Sequence, residues 1–154
     1  EMVTGIDLVA EQLRVAAGER LGFAQVDISC RGVAIECRIN AEDPDRDFAP
    51  TPGILREFVP PAGPFVRVDT HLRSGDAIAV DYDSLLAKVI VWAPDRDRAI
   101  ARMRRALAEF AIAGDQIRTT REFLSTVLEH PDFVAATHTT SLANRLLAVH
   151  SFDG

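Results

Sequence analysis

Residues 31–44 read Arg-Gly-Val-Ala-Ile-Glu-Cys-Arg-Ile-Asn-Ala-Glu-Asp-Pro, and no other stretch limits the fold as tightly. Val33, Ile35, Cys37 and Ile39 alternate with Ala34, Glu36, Arg38 and Asn40. A period of two marks a strand buried on one face. Its other face then carries a carboxylate, a guanidinium and an amide in succession, with Arg38 about 7 Å from Glu36 and from Asn40. A guanidinium fixed on a rigid strand can grip a planar anion such as a carboxylate or bicarbonate. The same pattern also fits an ordinary wet strand face with an incidental ion pair. The residues alone leave both readings open.

The rest of the chain supplies partners for this strand. Leu85 to Trp92 is nearly all apolar and reads as a central strand, interrupted by Lys88, which must reach water or a carboxylate. Just before it, Tyr82-Asp83-Ser84 is either a simple turn or a place from which Asp83 orients Arg38. From Phe65 to Leu72, Val66, Val68, Thr70 and Leu72 face one way, and Phe65, Arg67, Asp69 and His71 the other. Ile54–Val59 reads as a further strand, Pro60–Pro64 as a turn, Gly22–Cys30 as a connection or strand, and 43–53 as a loop rich in proline and charge.

Helical spacing appears at both ends. Residues 4–18 place Val9, Leu13, Ala16 and Ala17 on one stripe, with Thr4 or Asp7 as cap and Gly18 as stop. After Pro94-Asp95, Ile100, Met103, Leu107 and Phe110 form an apolar stripe, and Arg98, Arg102 and Arg105 a basic one. The basic stripe reads as a solvated face or as a docking surface for a partner domain. Thr119 and Glu122 have capping-box spacing ahead of Phe123, Leu124, Val127 and Leu128, and His130-Pro131 ends that helix. A last helix spans about 139–149 with Leu142, Leu146 and Leu147. The expected fold is α+β: one domain, with a small antiparallel sheet from residues 31–92 and helices packed on one side.

The net charge of −6 over 154 residues disfavours nucleic acid or an anionic membrane as main partner. No apolar run approaches the ~18 residues of a membrane span. The two cysteines make no disulfide framework, and the composition suits the cytoplasm. None of the four histidines is assigned a metal or catalytic role. The start, Glu1-Met2-Val3-Thr4-Gly5, suggests a piece of a longer protein.

Glu36 to Pro44, ECRINAEDP, resembles the matching segment of biotin carboxylases, the ATP-dependent subunits or domains of acyl-CoA carboxylases and pyruvate carboxylase. Residues 1–18 resemble the family stretch EMVTGxDLVxxQLxxAAG, and Tyr82 to Lys88 its YDSxxxK motif. The resemblance implies that the ATP-grasp domain, with the metal carboxylates, nucleotide loop and bicarbonate base, lies upstream of Glu1. Glu1 itself is not that base.

In the whole enzyme the resemblance implies ATP, Mg2+ and biotin as cofactors, with none held by this fragment. Arg38, oriented by Asp83, would be the catalytic arginine that steadies bicarbonate and the biotin enolate, and Glu36 and Tyr82 would border the substrate. Leu142 would close the adenine pocket. The local pattern departs from the family there, and the Gly114–Thr120 connection is about two residues longer than usual. Arg67 and Phe65 would lie at a homodimer interface. The implied partners are the protein's own ATP-grasp domain, a biotin carboxyl carrier domain and a carboxyltransferase. The alternative is a non-catalytic α+β module for dimerisation or carrier docking, acting through Arg67 or the arginine stripe.

Overall fold

The computed structural model describes residues 1–79, 81 and 83–150, and the side chains of those up to 148. Asp7 starts the first helix by accepting the Ala10 N–H at 2.9 Å, and α1 covers Leu8–Ala16. A 3-10 turn at Gln25–Asp27 leads to β1 (Val33–Asn40). Then β2 (Glu42–Asp43) and β3 (Ala49–Pro50) form a short antiparallel ribbon around a 3-10 turn at Pro44–Arg46. The strands β4 (Gly53–Val59), β5 (Val66–Asp69), β6 (Ala77–Ile78) and β7 (Leu85–Ala93) follow. The Asp95 carboxylate accepts the Arg98 N–H at 2.9 Å and caps α2 (Arg96–Glu109). The chain continues through β8 (Ala111–Gly114), α3 (Arg121–Glu129), α4 (Pro131–Val134) and α5 (Leu142–His150).

The expected α+β arrangement is what forms. One antiparallel sheet has the order β1-β7-β5, and a second has the order β6-β4-β8. The apolar run of β7 is thus the central strand. Register places Ile35 opposite Val91, Cys37 opposite Val89 and Ile39 opposite Ala87, while Val66 and Val68 meet Val91 and Val89 from the other side. That face packs on α2, whose Ala99, Ile100, Met103, Ala106 and Leu107 are buried. Phe110 ends the helix inside the core, edge-on to Phe58 with ring centroids 5.2 Å apart. Entry to β1 requires glycine: Gly32 has φ +71°, and a Cβ there would meet the Ala93 carbonyl oxygen and the Trp92 ring.

Several local expectations are corrected. Thr119 and Glu122 do not form a capping box; Thr120 is the N-cap of α3 and makes no side-chain cap bond. Its hydroxyl is engaged elsewhere, on β1. In β4, Leu55 and Phe58 are both buried although three apart, because the register shifts between Leu55 and Glu57. The first helix is shorter than the expected 4–18, and its Val9 and Leu13 are exposed. The α2 arginines are individually held: Arg98 by Asp95, Arg105 by Glu109, and Arg102 by the Trp92 carbonyl. Among the described residues, no helix is long and apolar enough to cross a membrane.

The two cysteines differ sharply in environment. Cys30 is exposed and Cys37 buried. Burial, and secondarily the charge of Glu36, pushes the Cys37 thiol up to about 12. An unfolded thiol ionises near 8.5. The neutral Cys37 therefore contributes stability that is complete below that value and declines as pH rises toward 12. We expect alkylation at pH 8 to modify Cys30 alone, read by peptide mass. Denaturant unfolding should show stability falling above pH ~9 in the wild type and more weakly in Cys37→Ala.

Candidate functional site

The side of the β1-β7-β5 sheet turned away from α2 carries the polar residues. Because directly opposite residues of an antiparallel pair share a face, the register sorts them into rows. Arg38 lies opposite Lys88, which lies opposite Asp69; Glu36 lies opposite Ile90, which lies opposite Arg67. Arg38 and Lys88 are thus adjacent cations, with Cβ atoms about 5 Å apart. Like charges placed opposite are unfavourable unless an anion joins them.

The Asp83 carboxylate divides its two oxygens. Oδ2 lies 3.6 Å from Arg38 Nη2 in a solvated ion pair, with side chains 49% and 67% exposed. Oδ1 accepts the Leu85 N–H at 3.1 Å and sets the turn into β7. One carboxylate therefore serves both the turn and the ion pair with Arg38. Asn40 does not reach back to Arg38. Its Nδ2 donates to Glu42 Oε1 at 3.1 Å, and the Ser84 hydroxyl donates to the same oxygen at 2.5 Å. Ala41 N–H to Ser84 C=O, at 2.8 Å, ties the two strand ends together.

A second cluster lies at the β5 end of the sheet. Arg67 Nη1 donates to Glu1 Oε2 at 2.8 Å and Nε to Asp69 Oδ1 at 2.7 Å. The hydrogen bond from Arg67 holds the Glu1 carboxyl below its ordinary range, and the two carboxylates, Asp69 foremost, raise the guanidinium further. Phe65 is exposed, with φ +62°, a conformation a bulky residue rarely adopts. Its ring lies 5.1 Å from that of Trp92 and 5.2 Å from the Arg102 guanidinium carbon, and Trp92 donates its backbone N–H to the Phe65 carbonyl.

The structure brings Arg38 and Asp83 together and leaves Glu36 exposed on the same face, two residues away. Tyr82 lies outside the described residues. Leu142 begins α5, which packs on α3 and the Pro44–Arg46 turn, and is only 3% exposed. Sequence reasoning did not place Lys88 beside Arg38, because that depends on the register between two strands some 50 residues apart. It also missed Thr120, whose bonds to β1 span 80 and 82 positions and leave no local signal. Among the described residues no group of three or more His, Cys, Asp or Glu could hold a metal ion.

Comparison with known proteins shows the family. The family model for the biotin carboxylase C-terminal domain matches residues 36–145. The biotin carboxylase of Nostoc sp. is 51% identical over 146 residues, covering 95% of this chain and 32% of its own length. Biotin carboxylase 1 of Bacillus subtilis is 50% identical over 91% of the chain and 31% of its own length. Among solved structures, the biotin carboxylase domain dimer of the Hydrogenobacter thermophilus 2-oxoglutarate carboxylase, in complex with MgADP, ADP and bicarbonate, matches with a TM-score of 0.91. It is 42% identical, over 100% of this chain and 34% of that one. The complete pyruvate carboxylase of Rhizobium etli matches with a TM-score of 0.89 and 36% identity over 96% of this chain and 14% of that one. The chain spans about a third of the length of the biotin carboxylases it matches. On these grounds the chain belongs to the biotin carboxylase C-terminal domain family.

Proposed function

We propose that this chain completes the active site of an enzyme that carboxylates carrier-bound biotin with bicarbonate and ATP, and that Arg38 is its catalytic residue. One observation carries the reading: Arg38 stands on the wet face of a rigid strand, opposite Lys88 and 3.6 Å from the Asp83 carboxylate. That is a preorganised cationic spot for an anion. The bicarbonate named in the Hydrogenobacter complex is an anion of the right shape for a guanidinium. Arg38 would hold bicarbonate and then the enolate oxygen that develops on biotin. Glu36 and Tyr82 would border this space, and Leu142 would contribute to the adenine side. ATP and Mg2+ would be bound by an upstream ATP-grasp domain, and the carboxyl group would pass on through carrier and carboxyltransferase partners. This chain alone would then be inactive, since it would position only one side of the reaction.

The test joins this chain to the ATP-grasp part of the Nostoc biotin carboxylase and follows bicarbonate-dependent ATP cleavage with free biotin. Removing one preorganised donor typically costs about 10² to 10³ in rate. Arg38→Ala should lose that much in the biotin-dependent rate while KM for ATP stays within about twofold. An Arg38→Ala rate equal to wild type would sink the assignment.

Asp83→Asn separates orientation from stability. An exposed pair contributes less than about 1 kcal/mol, so melting should fall by less than about 4 °C. The biotin-dependent rate should drop at least about tenfold, because a misdirected guanidinium is a large loss in a site built on position. Equal small effects on both would show that Asp83 only makes its turn.

The second reading, a dimerisation surface, is favoured by the β5 edge of the sheet, where Phe65 exposes its ring just before the strand and Arg67 is held by Glu1 and Asp69. If the cluster forms an interface, Phe65→Ala with Arg67→Glu should shift the joined protein from dimer to monomer in sedimentation analysis. An unchanged dimer would place the interface elsewhere.

A further inference from the structure

We propose that Thr120 is a positioning residue that sets the backbone of Arg38. The proposal rests on the reading that Arg38 carries the anion chemistry. Strand β1 pairs with β7 on one side only, so the groups on its other edge need partners. Thr120 takes three of them. Its hydroxyl donates to the Arg38 carbonyl at 3.2 Å and accepts the Asn40 N–H at 3.1 Å. Its own N–H donates to the Asn40 carbonyl at 3.1 Å. These bonds fix the carbonyl of the residue that bears the guanidinium and both backbone groups of Asn40, two residues on.

Two features argue that this is more than a convenient contact. As N-cap of α3, Thr120 would ordinarily turn its hydroxyl to that helix, yet it makes no such bond. The hydroxyl has been given to the strand instead. Thr120 and Thr51 are also the polar residues buried among those described, at 6% and 9% exposed. They act as a pair. Thr51 Oγ1 donates to the Arg118 carbonyl at 2.8 Å and accepts the Arg118 N–H at 3.1 Å. Thr51 N–H donates in turn to the Ala41 carbonyl at 2.9 Å. Hydrogen bonds and chain therefore form a closed ring, from Arg38 through Asn40, Ala41, Thr51, Arg118 and Thr120 back to Arg38. A ring of this kind leaves the Arg38 backbone little freedom to shift. Shifts of about 1 Å in a reacting group can cost about 10²-fold in rate.

A double-mutant cycle in the joined protein tests this, with melting followed alongside. Thr120→Val keeps the shape and removes the hydroxyl. It should lower the biotin-dependent kcat about tenfold and leave KM for ATP within about twofold, whereas Thr120→Ser should stay within about twofold of wild type throughout. In an Arg38→Ala background, Thr120→Val should cause less than about a twofold further loss, because it acts through the guanidinium. An equal loss with and without Arg38 would show a merely structural role and overturn the proposal, as would no loss at all. If Arg38→Ala by itself had no effect, the functional reading would fail and this proposal with it, a result distinct from additive losses. Should the valine variant melt below the assay temperature, Thr120→Ala enters the same cycle and is read by the same outcomes.

Discussion

The register between β1 and β7 is the constraint on which the rest depends. Side chains alternate along a strand, so a slip of one residue would exchange the two faces completely. The core forbids that slip. Ile35, Cys37 and Ile39 are buried against α2 together with Val89 and Val91, and each large aliphatic side chain among them gains about 1.5–3 kcal/mol by staying there. Arg38 would have to enter the same space if they left. The cost of burying an unpaired guanidinium adds to the cost of exposing three apolar groups. The outward direction of Arg38 and Lys88 is thus enforced from behind, by residues with no chemistry of their own.

Parity fixes the direction of Arg38 but not its position along or across the face. That depends on the ends of the strand. There the ladder is irregular: Ile39 pairs with Ala87, and Asn40 with Leu85, leaving one residue of β7 unmatched. Irregular pairing frees backbone groups, and every one must find a partner if buried. Ser84 meets Ala41 through its backbone and Glu42 through its hydroxyl, while on the unpaired edge of β1 Thr120 meets Arg38 and Asn40. Connections distant in sequence therefore converge where the ladder is weakest. Regular structure builds the face, and side-chain hydrogen bonds set the detail at the point where chemistry is proposed.

This division explains what was legible in the sequence. The alternation of residues 33–40, the apolar run of 85–92 and the Ile100–Met103–Leu107 stripe each encode which face is buried, and all appear where expected. For Asp83 the sequence left a turn and an ion pair with Arg38 as alternatives, and the side chain makes both. Thr120 was illegible because nothing local separates a threonine that caps its own helix from one that bonds a strand some 80 residues earlier. The capping-box pattern pointed to the neighbouring Thr119 instead. The β4 bulge was hidden for a similar reason: inserting one residue breaks the period of two without changing composition. The two short strands β6 and β8 have little pattern of their own and exist through their neighbour β4.

The exposure of the Arg38 face gives its own argument about how such a domain would work. A guanidinium that is 49% exposed faces a high dielectric, where its attraction for an anion is modest. The same group becomes far more effective once water is excluded, without any change in its own position. On the proposed reading, this chain supplies orientation and a second body supplies exclusion. Neither is sufficient without the other. The apolar residues of α1, exposed from Leu8 to Val15, are consistent with such a division, since a helix that buries no residue in its own domain gains little from packing there. Closing a cover over Arg38 and Lys88 would raise the repulsion between two adjacent cations just as it raised their attraction for an anion. Asp83 beside Arg38 and Asp69 opposite Lys88 would offset part of that repulsion, so the cover gains most when a further anion lies between the two cations.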